Sequence, residues 1–210
     1  FIVIFILSLN ILLSIVQDKL LSDITWQSIL FIISAYLFQM GLNLGLLRIC
    51  LNMINNEEVD FILIFSSFHI LIPYVLATIL YILALLVAAS PGLLLLITIV
   101  SVDLDNLSSI AGSIPAILST IVMIVPAIYL SIRLQFYEYF LIDEECGVIE
   151  SINKSANISK GHILELFILG AVLSLIILVS IIPMGLGLII SIPLSMVSIS
   201  YVYLKLKTSH

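Results

Sequence analysis

From Phe68 to Val102 the chain runs 35 residues without one Asp, Glu, Lys or Arg. As a single helix rising about 1.5 Å per residue it would reach about 52 Å, well past the roughly 30 Å hydrocarbon core of a bilayer. A run of that length belongs in lipid. Pro91 and Gly92 lie inside it, and a kink, a re-entrant turn or an exit into solvent is expected there. Five further apolar stretches approach or reach the roughly 20 residues that a crossing helix needs. The expected spans are about 1–16, 28–53, 68–90, 111–135, 163–182 and 186–205.

The sequence is 62% hydrophobic and 10% charged, against about 45–50% apolar and about 25% charged for soluble domains. The short alternating segments of a membrane β-barrel are absent. The fold class is therefore all-α: a polytopic transmembrane helical bundle forming one domain over residues 1–210, with no stretch left to build a soluble catalytic core. A net charge of −6 with seven Lys and Arg argues against nucleic acid, whose backbone needs clustered cations. Phe1 already sits in an apolar run with neither a basic leader nor a small-residue cleavage site. A retained helix, preceded by further chain, is expected rather than a signal peptide. Cys50 and Cys146 have no CxxC partner and no His at zinc spacing, and read as unpaired thiols.

Basic residues orient the bundle, because Lys and Arg concentrate in cytoplasmic loops. With the N-terminus inside, Arg48, Arg133, Lys154, Lys160, Lys205 and Lys207 fall on the cytoplasmic face and only Lys19 falls outside, beside Asp18 and Asp23. The segment with Asp103 and Asp105 carries no cation and reads as an outer loop. Both termini are expected in the cytoplasm, in a bacterial cytoplasmic membrane. Trp26 marks an outer aromatic belt, and Tyr137, Tyr139, Tyr201 and Tyr203 an inner one.

Two cytoplasmic connections read as interfacial elbows, at about 56–67 and 146–161. In the second, Val148, Ile149, Ile152 and Ala156 form an apolar stripe at helical spacing, with Glu150, Asn153, Lys154 and Asn157 opposite. Such a helix could lie in the membrane plane, and Gly161 offers a place to turn upright. The first elbow is more apolar and is expected to pack deeper. The acidic pairs Glu57-Glu58 and Glu144-Glu145 stand 87 residues apart, which suggests a duplicated unit of span, elbow and span. Gly41 with Gly45, flanked by Gln39 and Asn43, and Gly185 with Gly187 are the expected positions of close helix packing.

One pattern goes further. It joins Pro126, Tyr129 and Arg133 to Asp143 and Gly147, then to Ser155 and Ser159-Lys160-Gly161, and last to Gly185, Gly187, Pro193 and Tyr201. Over roughly the last 85 residues it resembles the YciC-like bacterial membrane family, and it is similar to the membrane domain fused to some glycerophosphodiester phosphodiesterases. The resemblance implies a six-span bundle with two interfacial elbows and carries no catalytic residue. His162 stands where the family has a bulky aromatic, and Glu165 enters the next span.

Candidate chemistry is sparse. His162 and Glu165 share a helix face and could give two metal ligands, but an interfacial pair is more often solvated. The clusters Glu57, Glu58, Asp60 and Asp143, Glu144, Glu145 read as water-facing turns. Arg133 could pair with Glu138 or with a lipid phosphate, the former being favoured. Spans three, five and six have no central charge to line a solute pathway. The expectation is a non-enzymatic accessory, scaffold or assembly subunit with no catalytic, cofactor-binding or metal-ligating residues. Its partners would be membrane lipids and another membrane protein. Arg48, Arg133, Lys154 and Lys160 would meet a partner or lipid headgroups. The alternative is a transporter or lipid-handling, permease-like subunit.

Overall fold

A computed structural model describes residues 26–60, 62–102, 114–182 and 187–209. Over these the chain is an all-α bundle, and no strand occurs among them. The expected span at 1–16, Lys19, the Asp103 and Asp105 segment and Gly185 lie outside the described residues.

Helix α1 (Trp26–Ile54) has two halves with different surroundings. Its first half leaves Trp26, Leu30, Phe31 and Ile33 exposed, whereas Leu42, Leu44, Leu46, Leu47, Ile49 and Leu51 are buried. Asparagine chemistry ends it. Asn56 adopts the left-handed conformation at φ 57, the Glu57 amide donates to the Asn52 carbonyl at 2.9 Å, and the Asn56 amide donates to the Met53 carbonyl at 3.4 Å. That pair of bonds is a Schellman cap, for which Asn is the usual substitute for Gly.

The first elbow is not a free amphipathic helix. It is one α-turn, α2 (Leu63–Ser66), followed by a 3-10 turn (Ser67–Ile70) that feeds α3 (Leu71–Val102). Glycine explains how close it comes. A Cβ on Gly45 would sit 2.5 Å from the Ile64 carbonyl oxygen, and one on Gly41 would sit 2.5 Å from the Phe68 ring. The small face of α1 therefore seats the elbow rather than a second long span.

Of the kink, re-entrant turn or exit expected at Pro91, the re-entrant turn does not occur: α3 is helical through Pro91 and Gly92 to Val102. Proline at 91 cannot donate to the Val87 carbonyl, but the Ser90 hydroxyl does so at 2.8 Å, so the freed acceptor stays satisfied in an apolar setting. Gly92 serves packing. A side chain there would strike the Met123 backbone of α4 (Ile114–Leu134), the helix with which α3 makes its most extensive contact.

After α4 the chain breaks for two residues and forms α5 (Tyr137–Asp143), which lay unassigned between span and elbow in the sequence reading. Tyr137, Tyr139, Phe140, Leu141 and Ile142 are all buried, so this helix is wrapped on nearly every side. Helix α6 (Val148–Ile158) is the second elbow, and Gly161 at φ +93 turns the chain into α7 (Ile163–Ile181), as its position suggested. Gly187, whose Cβ would meet Ser180 at 2.8 Å, helps close the hairpin to α8 (Leu188–Ser209). The order of long helix, short elbow and long helix thus occurs twice.

The main core sits at one end of the bundle, where Leu44, Leu47, Tyr74, Phe136, Phe140 and Tyr203 meet. Elsewhere α3, α4 and α7 leave Leu, Ile and Val outward. Five of the described helical stretches are long and apolar enough to cross a membrane. In lipid an outward leucine costs nothing, so packing can be concentrated at that end.

Candidate functional site

Five of the six Lys and Arg among the described residues collect around the α5–α6 segment. Arg48 Nη2 lies 3.8 Å from Glu145, Lys207 pairs with Asp143 at 2.6 Å and Glu144 at 2.8 Å, and Lys154 pairs with Glu144 at 2.7 Å and Glu150 at 2.6 Å. Lys160 lines a cleft of about 480 Å³ with Lys154, Lys207 and Asn157, and has no ion-pair partner among the described residues. Lys205 lines a neighbouring cleft between α7 and α8. The acidic turn at 143–145 is exposed, as expected of a water-facing turn, and it is also the point on which cations of α1, α6 and α8 converge. Glu145 is held left-handed at φ 48 and also meets His69 of the first elbow at 3.3 Å.

The α6 face that meets the bundle mixes serines with apolar residues, since Ile158 is buried and Val148 and Ile152 of the expected stripe pack on the core. Ser151, Ser155 and Ser159, spaced four apart, are fully buried, whereas Ile149 of the expected apolar stripe is 70% exposed. The reason is steric and electrostatic together. Serines let α6 approach closely, and the corner between α4 and α5 leaves backbone groups without helical partners. Ser155 Oγ accepts from the Phe136 amide at 3.0 Å and donates to the Arg133 carbonyl at 3.1 Å. Arg133 returns the contact, its Nη2 donating to the Ala156 carbonyl at 3.2 Å.

That geometry corrects the Arg133–Glu138 pairing. Glu138 accepts a 3.4 Å bond from the Tyr74 hydroxyl, while Thr78 Oγ1 and the Tyr137 hydroxyl lie 3.0 Å apart beside it. The inner aromatic belt needs the same correction. Tyr137 stacks on Tyr81 at 5.3 Å, and Tyr139 on Tyr203 at 5.2 Å, inside the bundle. Tyr203 is fully buried and donates to Asp143 at 2.9 Å. Tyr201 and Trp26 remain exposed, as belt residues would be.

Electrostatics at the second elbow follow from its ion pairs. Partial burial pushes the Glu144 carboxyl up, but hydrogen bonds from Lys154 and Lys207 outweigh it and the net direction is down. Glu150, bonded by Lys154, also lies below the ordinary carboxylate value, and Lys154 lies above the ordinary ammonium value because Glu144 and Glu150 both hold it. Burial pushes the Cys146 thiol up, so it is not an activated thiolate. His162 and Glu165 do meet, Nδ1 to Oε2 at 3.1 Å, as a pair. Among the described residues no group of three or more His, Cys, Asp or Glu gathers that could hold a metal.

Apolar helices of spanning length, joined at one charged end by elbows and ion pairs, define the class: an α-helical integral membrane protein. Within it the chain belongs to the family described as Protein of unknown function (DUF975), which it matches over residues 1–210. Neither the curated proteins nor the solved structures contain a match to it.

Proposed function

We propose that this chain is a non-enzymatic accessory or assembly subunit of a membrane complex in the bacterial cytoplasmic membrane, with its charged end in the cytoplasm. One observation carries the reading. Helix α6 is clamped on its inner side by the Ser155–Arg133–Phe136 corner, and its outer side presents Ile149, Glu150, Asn153 and Asn157 outward. A helix so firmly seated and so open outward suits docking, much as coupling helices of transporter permeases dock their ATPase; that comparison is an analogy. The charged residues nearby are engaged in holding helices together, which fits a structural role better than a reacting one.

A lipid-handling or permease-like role is the second reading, favoured by the cleft bearing Lys154, Lys160 and Lys207, which could meet a headgroup. Purification in mild detergent followed by native mass spectrometry separates the two. A partner protein at fixed stoichiometry supports the subunit reading, bound lipid alone supports the second, and an empty monomer counts against both.

A further inference from the structure

The cleft between α7 and α8 is separate from the elbow and has a graded lining. It encloses about 450 Å³, within the range of roughly 300–1,000 Å³ typical of small-molecule sites. Helix α7 enters the bundle from His162 and α8 ends at Ser209, so both charged ends share one level of this hairpin. At that level stand His162, Glu165, Lys205 and Ser209, with Leu206 between the last two; further along the helices the walls are Leu166, Leu169 and Val202. Polar groups at the rim over an apolar trough match an amphiphile whose headgroup stays at the interface.

The charges narrow the class. Lys205 is exposed and has no ion-pair partner among the described residues, so its ammonium is free for a phosphate oxygen. The first turn of α7 has no side-chain cap, and its amides add positive potential to the same rim. Glu165, whose Oε2 meets His162 Nδ1 at 3.1 Å and whose side chain is 77% exposed, places a carboxylate beside them. A purely anionic headgroup would meet that carboxylate unfavourably, whereas a zwitterion can satisfy both signs. Within the bundle α7 buries only Leu166 and Leu173 among its described side chains, so the cleft lies on the lipid-facing edge, where an acyl chain can enter sideways.

We propose that this cleft binds one glycerophospholipid with a phosphoethanolamine headgroup: phosphate at Lys205 and the first turn of α7, ammonium at Glu165, and an acyl chain along Leu166, Leu169 and Val202. The inference does not depend on the accessory role, since it concerns a resident lipid on a different face.

The test uses the full chain in detergent, stripped of lipid and re-exposed to phosphatidylethanolamine or phosphatidylglycerol, with retention read by native mass spectrometry. Phosphatidylethanolamine should be retained about fivefold better than phosphatidylglycerol, and Lys205→Ala should weaken it about fivefold, the size expected of one lysine's attraction for a lipid phosphate. Lys205→Arg should restore retention, and Glu165→Gln should abolish the preference between the two lipids. Soluble glycerophosphoethanolamine, which lacks acyl chains, should fail to compete. Equal or better retention of phosphatidylglycerol by the unaltered chain would overturn the proposal. So would wild-type retention in Lys205→Ala, or effective competition by the soluble headgroup.

Discussion

The Ser155 hydroxyl donates to the Arg133 carbonyl at 3.1 Å, closing a contact between residues 22 positions apart. The same oxygen accepts from the Phe136 amide at 3.0 Å, so one side chain satisfies both backbone groups freed where α4 gives way to α5. Ser155→Ala leaves both without that partner in a buried place and should lower stability by about 1–3 kcal/mol. Ser151→Ala should cost clearly less, because Ser151 bonds only its own helix, at Val148. Thermal unfolding of the two variants in one detergent checks the order.

Glycine substitutions should separate by what the new methyl group meets. At Gly45 and Gly92 it strikes backbone, of Ile64 and Met123 respectively, and alanine there should cost about 1–3 kcal/mol. At Gly41 it meets the Phe68 ring, which can shift, so the cost should be smaller. Gly170 has open space around it, and alanine should be neutral or stabilising by less than about 1 kcal/mol. Melting temperatures across the four variants test the ranking.

Stability should depend on pH through the second elbow in a defined sense. Glu144 and Glu150 titrate below the ordinary 4.5, so what they contribute is present above that value and is lost as pH falls through their lower folded values. Lys154 titrates above the ordinary 10.5, so its contribution is complete below that value and is lost as pH rises through its higher folded value. Unfolding temperature should form a plateau between these limits, and Lys154→Met should reduce the fall on the acid side. An acid limb identical to that of the unaltered chain would contradict the assignment.

Tyr203 and Lys207 both donate to Asp143 Oδ2, at 2.9 and 2.6 Å. Tyr203→Phe keeps the ring stacked on Tyr139 but removes one bond to a carboxylate, and should cost about 1.5–3 kcal/mol. Because the acceptor is shared, adding Lys207→Met should give a non-additive total, with a coupling of about 0.5–3 kcal/mol. A double-mutant cycle from unfolding measurements reads it directly.

Hydrophobic run lengths foreshadow the long helices α1, α4, α7 and α8, and Gly161 marks its turn, because apolar patterning and backbone geometry act through local sequence. What could not be read is local structure decided by distant partners. Helix α5 is buried on nearly all sides, so its apolar residues show no periodicity to separate it from the preceding span. Ser151 and Ser155 of α6 and Ser159 at its C-terminal end count as polar in a pattern reading, yet close approach and the open corner at Arg133 turn them inward. Arg133 and Glu138 look like natural partners in sequence, but each is claimed by another element, α6 and Tyr74. The one available sign of the serine face was the spacing of Ser151, Ser155 and Ser159 at intervals of four, a small-residue stripe of the kind that lets helices touch.

The central claim is that α6 is held rigid on its serine side so that its outer face can dock a partner. A photo-crosslinking amino acid at position 149, illuminated in intact membranes, tests this most directly, with position 86 on α3 as a lipid-facing control. The account predicts one discrete protein adduct from position 149, lipid adducts from position 86, and loss of the protein adduct when Ser155→Val unseats the elbow. Lipid adducts alone at position 149, or a protein adduct indifferent to Ser155→Val, would contradict it.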